Sequence, residues 1–118
     1  MPKSMVKLNV HPYSLGVWFT DDLHSFNLKR RKIHPSGHDI ADMSGCVYGG
    51  EYSGCMVVGV FDSKLRTLVH ELAHVLVRIS EHIGMDIGPY TTEPFAYLFE
   101  SLYEQCAGHL DEWGNKNA

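Results

Sequence analysis

The sequence has few cysteines, and their spacing favours neither disulfide bonds nor a metal site built from thiolates. Its three cysteines are Cys46, Cys55 and Cys106. An odd number without a CxxC spacing fits neither a disulfide framework nor a four-thiolate zinc site. We expect free thiols in a reducing compartment, with a Cys46–Cys55 bridge as the open alternative.

Long apolar stretches and an excess of basic residues are also missing. No segment approaches the about 18 apolar residues of a membrane span, and residues 1–10 lack the apolar core of a signal peptide. We therefore expect a cytoplasmic protein with no membrane partner. Ten Lys and Arg against fourteen Asp and Glu give a net charge of -4. This balance argues against nucleic acid as a partner, because nucleic-acid-binding domains usually carry basic patches.

Composition and length indicate one globular domain over residues 1–118. Apolar residues make up 44% and charged residues 20% of the chain, and no repeat or linker divides it. Two apolar runs, LGVWFT at 15–20 and CMVVGVF at 55–61, predict strands, and a shorter strand is expected near 46–48. Residues 21–33 fit a short helix or a polar hairpin arm equally well. The last ten residues look frayed.

Two segments in the C-terminal half have helical periodicity. Apolar residues at steps of three and four predict a helix from Leu65 to Ile83, capped by Asp62 or Ser63 and ended by Gly84. A second helix should begin at Thr91 or Thr92 and end near Gly108, with Trp113 in a loose tail. Strands followed by helices give an α+β fold class.

Eight histidines are the unusual feature of the composition, and two of them form an HExxH motif. Residues i and i+4 share one face of a helix, so His70 and His74 can reach one metal ion. Glu71 lies one step around the helix, where it can reach a metal-bound water as general base. Bound zinc lowers the pKa of that water to about 7, which suits hydrolysis of a carbonyl compound. The alternative is that His70 and His74 are surface histidines that bind no metal and that the glutamate between them is incidental.

A catalytic zinc usually needs a third protein ligand. The metzincin pattern is rejected, because Val77 and Ser80 stand where it needs glycine and histidine. The gluzincin pattern places a glutamate on the next helix, and Glu93 fits this position across a Gly/Pro turn. Alternatively, Glu93 is a carboxylate favoured by the helix dipole. Asp86 or Glu81 would then be the replacement ligand.

The segments TLVHELAHV and TTEPFAYLFESL resemble the small HExxH proteins of tailed-phage genomes, relatives of the gluzincin and minigluzincin zinc peptidases. The resemblance covers about residues 55–106. It implies that His70, His74 and Glu93 bind one Zn²⁺ per chain and that Glu71 is the general base. It also implies a zincin-like fold, in which a small sheet packs on the HExxH helix and the 55–61 strand supplies an edge for peptide pairing.

Other chemistry-bearing residues have weaker patterns. Three could stabilise an oxyanion opposite the base, with Tyr97 ahead of Tyr90 and His82. His34 and His38 are expected to be solvated loop histidines rather than a second metal site. The basic run at 29–32 is expected to be a solvated face rather than a phosphate-binding patch.

Three functions remain in order of weight. The first is a zinc metallopeptidase that hydrolyses a peptide or protein substrate. The second is a catalytically idle, zinc-binding phage protein that binds a host protein in the bacterial cytoplasm. The third, which the negative net charge disfavours, is a nucleic-acid-associated factor that uses residues 29–32.

Overall fold

The computed structural model describes residues 4–50 and 54–116, with side chains to 114, and shows an α+β fold with a four-stranded mixed sheet and three helices. The elements in chain order are β1 (Met5–Leu8), β2 (Gly16–Thr20), α1 (Leu23–Ile33), β3 (Gly45–Gly49), β4 (Cys55–Val60), α2 (Leu65–Ile83) and α3 (Thr92–Lys116). Of the two alternatives for residues 21–33, the structure thus has the helix, at Leu23–Ile33, and not the hairpin arm. No helix in the described ranges is long and apolar enough to cross a membrane.

The sheet has the order β1-β2-β4-β3, with β2 and β4 parallel and both outer strands antiparallel to their neighbours. The apolar β4 strand thus lies inside the sheet, and the expectation that it supplies an edge is wrong. Its continuous apolar run is typical of a strand covered on both faces. Within the described sheet, β3 and β1 are the edges.

Helix α1 covers one face of the sheet. The ring of Phe26 on α1 meets Phe61, just after β4, edge to face at 5.5 Å between centroids. A Cβ at Gly59 would overlap the Phe61 ring and lie 2.9 Å from the Phe26 ring. Glycine at this β4 position therefore lets the two rings pack against the sheet.

Helices α2 and α3 lie side by side on the opposite face. Helix α2 contacts β3 and β4. Helix α3 covers the β1–β2 half of the same face. Gln105 exchanges two hydrogen bonds with the backbone of Asn9, just after β1, and Trp113 stacks on Phe19 of β2 with ring centroids 5.5 Å apart. A continuous apolar core fills the space between these helices and the sheet.

The ends of the helices differ in part from the expectations. Gly84 ends α2 in the left-handed conformation, as predicted. The N-cap of α2 is Lys64, and Asp62 instead accepts hydrogen bonds from the Lys64 N–H and the Thr67 hydroxyl. Helix α3 does not end near Gly108 but continues to Lys116. Trp113 is buried, so the loose tail expected there is wrong for the described residues.

Candidate metal centre

The HExxH residues lie on α2, with the two histidines on its solvent side. His70 and His74 are both exposed, and their rings meet edge to face with centroids 4.9 Å apart. The i and i+4 spacing on a regular helix explains this contact. The two imidazoles are therefore close enough to serve as two ligands of one metal ion.

Glu71 points toward edge strand β3 and is buried, with 7% of its surface exposed. A Cβ at Gly45 would lie 2.9 Å from both Glu71 Cγ and Thr67 Cγ2, so the absence of a side chain at Gly45 makes room for the glutamate. Burial raises the pKa of the Glu71 carboxyl, and the nearby His70, His74 and Arg78 partly oppose that rise. A raised pKa suits a general base, because the carboxylate then holds a proton more readily.

Arg78 and Cys46 belong to the surroundings of Glu71, and the sequence patterns did not single them out for this site. Arg78 donates a hydrogen bond of 2.6 Å to the Gly49 carbonyl, which ties α2 to the end of β3. It lies seven residues, or about two turns, after Glu71, so helical spacing could have identified it. The Cys46 thiol is free, which excludes the Cys46–Cys55 bridge. Burial, and next the charge of Glu71, raise the pKa of the Cys46 thiol.

Glu93 lies on the first turn of α3 and is exposed. Within the described ranges, no three or more His, Cys, Asp or Glu side chains form a group that could hold a metal ion, so Glu93 does not join the histidine pair in such a group. The arrangement of the helices explains this. Thr67, Glu71 and Arg78 define the flank of α2 toward β3, and the histidines lie between that flank and solvent. Helix α3 contacts α2 and also Asn9 and β2, on the other side of β4 from β3, so we infer that it lies along the flank of α2 that faces away from β3.

The remaining residues considered for the site are mostly exposed. Tyr97, on α3, is 66% exposed, and Tyr90, just before α3, is 98% exposed. Asp86 and Glu81 are exposed as well, and His82 lies beside Gly54 at the far end of α2. The roles predicted for Tyr97 and for Glu93 therefore stay predictions.

The loop histidine His34 is exposed, as expected, but it is also held by hydrogen bonds within the chain. Its Nδ1 lies 2.7 Å from the Tyr48 hydroxyl, and its Nε2 lies 3.0 Å from the Ser36 hydroxyl. Both ring nitrogens thus hydrogen-bond within the chain. These two hydrogen bonds indicate a structural role for His34, and His38 is exposed like His34.

The basic run at 29–32 is also largely taken up by intramolecular contacts, so the expectation of a solvated face is wrong in part. Arg30 is only 2% exposed and pairs with Asp39 at 3.0 Å, and Arg31 pairs with the same carboxylate. These two guanidinium groups lower the pKa of Asp39 to about 2. Lys29 Nζ lies 3.9 Å from the centre of the Trp18 ring.

Comparison of the chain with protein-family models, with curated proteins and with solved structures finds no match.

Proposed function

We propose that the protein is a zinc-dependent metallopeptidase-like hydrolase, with a zincin-like site built on α2. The observation that carries the proposal is the contact between the exposed imidazoles of His70 and His74 beside the buried Glu71. Two imidazoles and a carboxylate are ligands that suit zinc. His70 and His74 would hold the ion, and Glu93 is the predicted third ligand.

The metal, when bound, would supply an acidified water and polarise a carbonyl. Glu71 would accept the proton of that water through its carboxylate and later donate it to the leaving amine. Burial raises the pKa of the Glu71 carboxyl, which favours its acceptance of a proton. Tyr97 is the predicted donor that stabilises the oxyanion.

Edge strand β3 gives the proposal a binding surface for an extended peptide. It is an outer strand of the described sheet, and the Glu71 and Arg78 side chains of α2 both contact it. A peptide added beside β3 would make main-chain hydrogen bonds and pass the flank of α2 that carries the HExxH residues. The substrate class is therefore an extended peptide or unfolded protein segment.

The decisive experiment incubates the zinc-loaded protein with a peptide library and reads new termini by mass spectrometry. Glu71→Gln should keep the metal and lower cleavage by at least about 100-fold, because general-base catalysis contributes at least this factor. Glu104→Gln, which changes an exposed glutamate on α3, is the matched control and should cleave normally. Equal cleavage by the Glu71→Gln protein would contradict the proposal.

A second candidate is zinc binding without catalysis, in service of binding a host protein. The separation of Glu93 from the histidine pair favours it, because a catalytic zinc normally has three protein ligands. In this case the Glu71→Gln protein would bind the partner as tightly as the unaltered protein does. Binding that depends on His70 and His74, with no cleavage of any library peptide, would support this candidate over the first.

A further inference from the structure

The solvent side of α2 is an uncovered helix face with an apolar centre. Val69 is 43% and Val77 49% exposed, and Ala73 lies between them. His70 and His74 run alongside this apolar row. Arg66 and Glu81, both exposed, stand at the two ends of the same face.

The histidine pair supplies half of the ligands that a tetrahedral zinc site needs. Structural zinc sites normally have four protein ligands, and no group of three candidate ligands exists in the described part of the chain. A two-fold axis through the metal would double the pair to four imidazoles. A second copy of this chain is therefore an occupant that completes the site without any new residue type.

The charges on the face favour an antiparallel pairing of the two copies. With 1.5 Å of rise per residue, the midpoint between Arg66 and Glu81 lies only about 2 Å along the axis from the midpoint between the histidines. One two-fold axis can therefore serve both sets of residues. It brings Arg66 of each copy toward Glu81 of the other, whereas parallel helices would place like charges together.

We propose that α2 forms an antiparallel homodimer contact in which one zinc ion is held by His70 and His74 of both copies. This inference rests on the metal binding in the proposed function and adds a regulation of the same site. In the dimer, four imidazoles leave no position for a reactive water, so the dimer is the closed form. The monomer, in which water can occupy the metal, is the hydrolytic form.

The test measures molar mass and zinc content of the metal-stripped protein during titration with zinc chloride. Light scattering after size exclusion should show a monomer that becomes a dimer, with about one zinc ion per two chains by elemental mass spectrometry. Chelator should restore the monomer. His74→Ala should remain monomeric at every zinc concentration, and His24→Ala, which changes an exposed histidine on α1, should dimerise like the unaltered protein.

A charge-reversal series tests the antiparallel geometry without touching the ligands. Arg66→Glu should weaken the zinc-loaded dimer by about threefold, the scale of exposed ion pairs. The double variant Arg66→Glu with Glu81→Arg should recover the original dimer constant. No recovery in the double variant would overturn the antiparallel arrangement.

The outcomes separate this inference from the proposed function. A monomer with one zinc per chain would overturn the bridged dimer and leave the proposed hydrolase standing. A dimer that forms equally with chelator or with His74→Ala would overturn the metal bridge. Absence of zinc from every form would contradict both proposals.

Discussion

The C-terminal end of α1 with its following loop, and the solvent side of α2, both contain histidine and arginine, but the fold uses these residues differently. In the first region, His34 of the loop hydrogen-bonds through both ring nitrogens, and the buried Arg30 of α1 pairs with Asp39. On α2, His70 and His74 are exposed and contact each other. Side chains held by intramolecular partners stabilise the fold, whereas exposed pairs at ligand spacing are available for a metal ion.

The largest expected effect that separates the two regions comes from Arg30. Arg30→Ala removes a nearly buried side chain together with its hydrogen bonds to Asp39 and the His34 carbonyl. It should lower the free energy of unfolding by about 2–4 kcal/mol. Arg66→Ala, which changes an exposed arginine on α2, should alter it by less than about 0.5 kcal/mol. Urea denaturation measures the change in unfolding free energy of both variants. Equal changes would contradict the difference between a buried, paired arginine and an exposed one.

A smaller effect is expected from the histidines themselves in metal-free protein. His34→Ala should cost about 1 kcal/mol of unfolding free energy, because the Tyr48 and Ser36 hydroxyls lose their partner. His74→Ala should be close to neutral. Thermal and urea unfolding in the presence of chelator measures both. A larger loss for His74→Ala than for His34→Ala would mean that the α2 pair is structural.

The smallest effect is a gain in stability at Glu71. Burial raises its pKa above the ordinary 4.5, so the folded state disfavours the carboxylate once the pH exceeds that value. Glu71→Gln should therefore slightly raise the unfolding temperature of metal-free protein at pH 7. The gain should vanish below about pH 4, where glutamic acid is neutral in both states. A loss of stability at pH 7 would show that the Glu71 charge is well satisfied by its neighbours.

Local sequence patterns predicted the elements whose partners are close in the chain. The three- and four-residue spacing predicted both ends of α2, including the left-handed Gly84. The apolar runs predicted β2 and β4, although pairing and sheet order are set by contacts distant in sequence. Position 108 shows another limit. Glycine costs a helix about 1 kcal/mol, but the burial of Cys106, Leu110 and Trp113 around it keeps α3 continuous.

The candidate site was predictable only as far as one helix determines it. The HExxH spacing predicted the contact between His70 and His74 and the position of Glu71 beside them. Residue spacing could not predict along which flank of α2 helix α3 lies. This depends on the sheet order, in which β1 and β2 lie on one side of β4 and β3 on the other. Whether Glu93 joins the histidines depends on that flank, and no such group forms among the described residues. Likewise, the burial of Arg30 depends on Asp39, nine residues away.

Metal binding by His70 and His74 is tested by the zinc content of protein purified without a histidine tag or added metal. We expect the unaltered protein to hold about one zinc ion per chain, or about one per two chains if the bridged dimer forms, and the His70→Ala, His74→Ala double variant to hold none. A His24→Ala, His38→Ala double variant, which changes two exposed histidines elsewhere, should keep the metal. Zinc retained after loss of both α2 histidines, or absent from the unaltered protein, would contradict a metal site at His70 and His74.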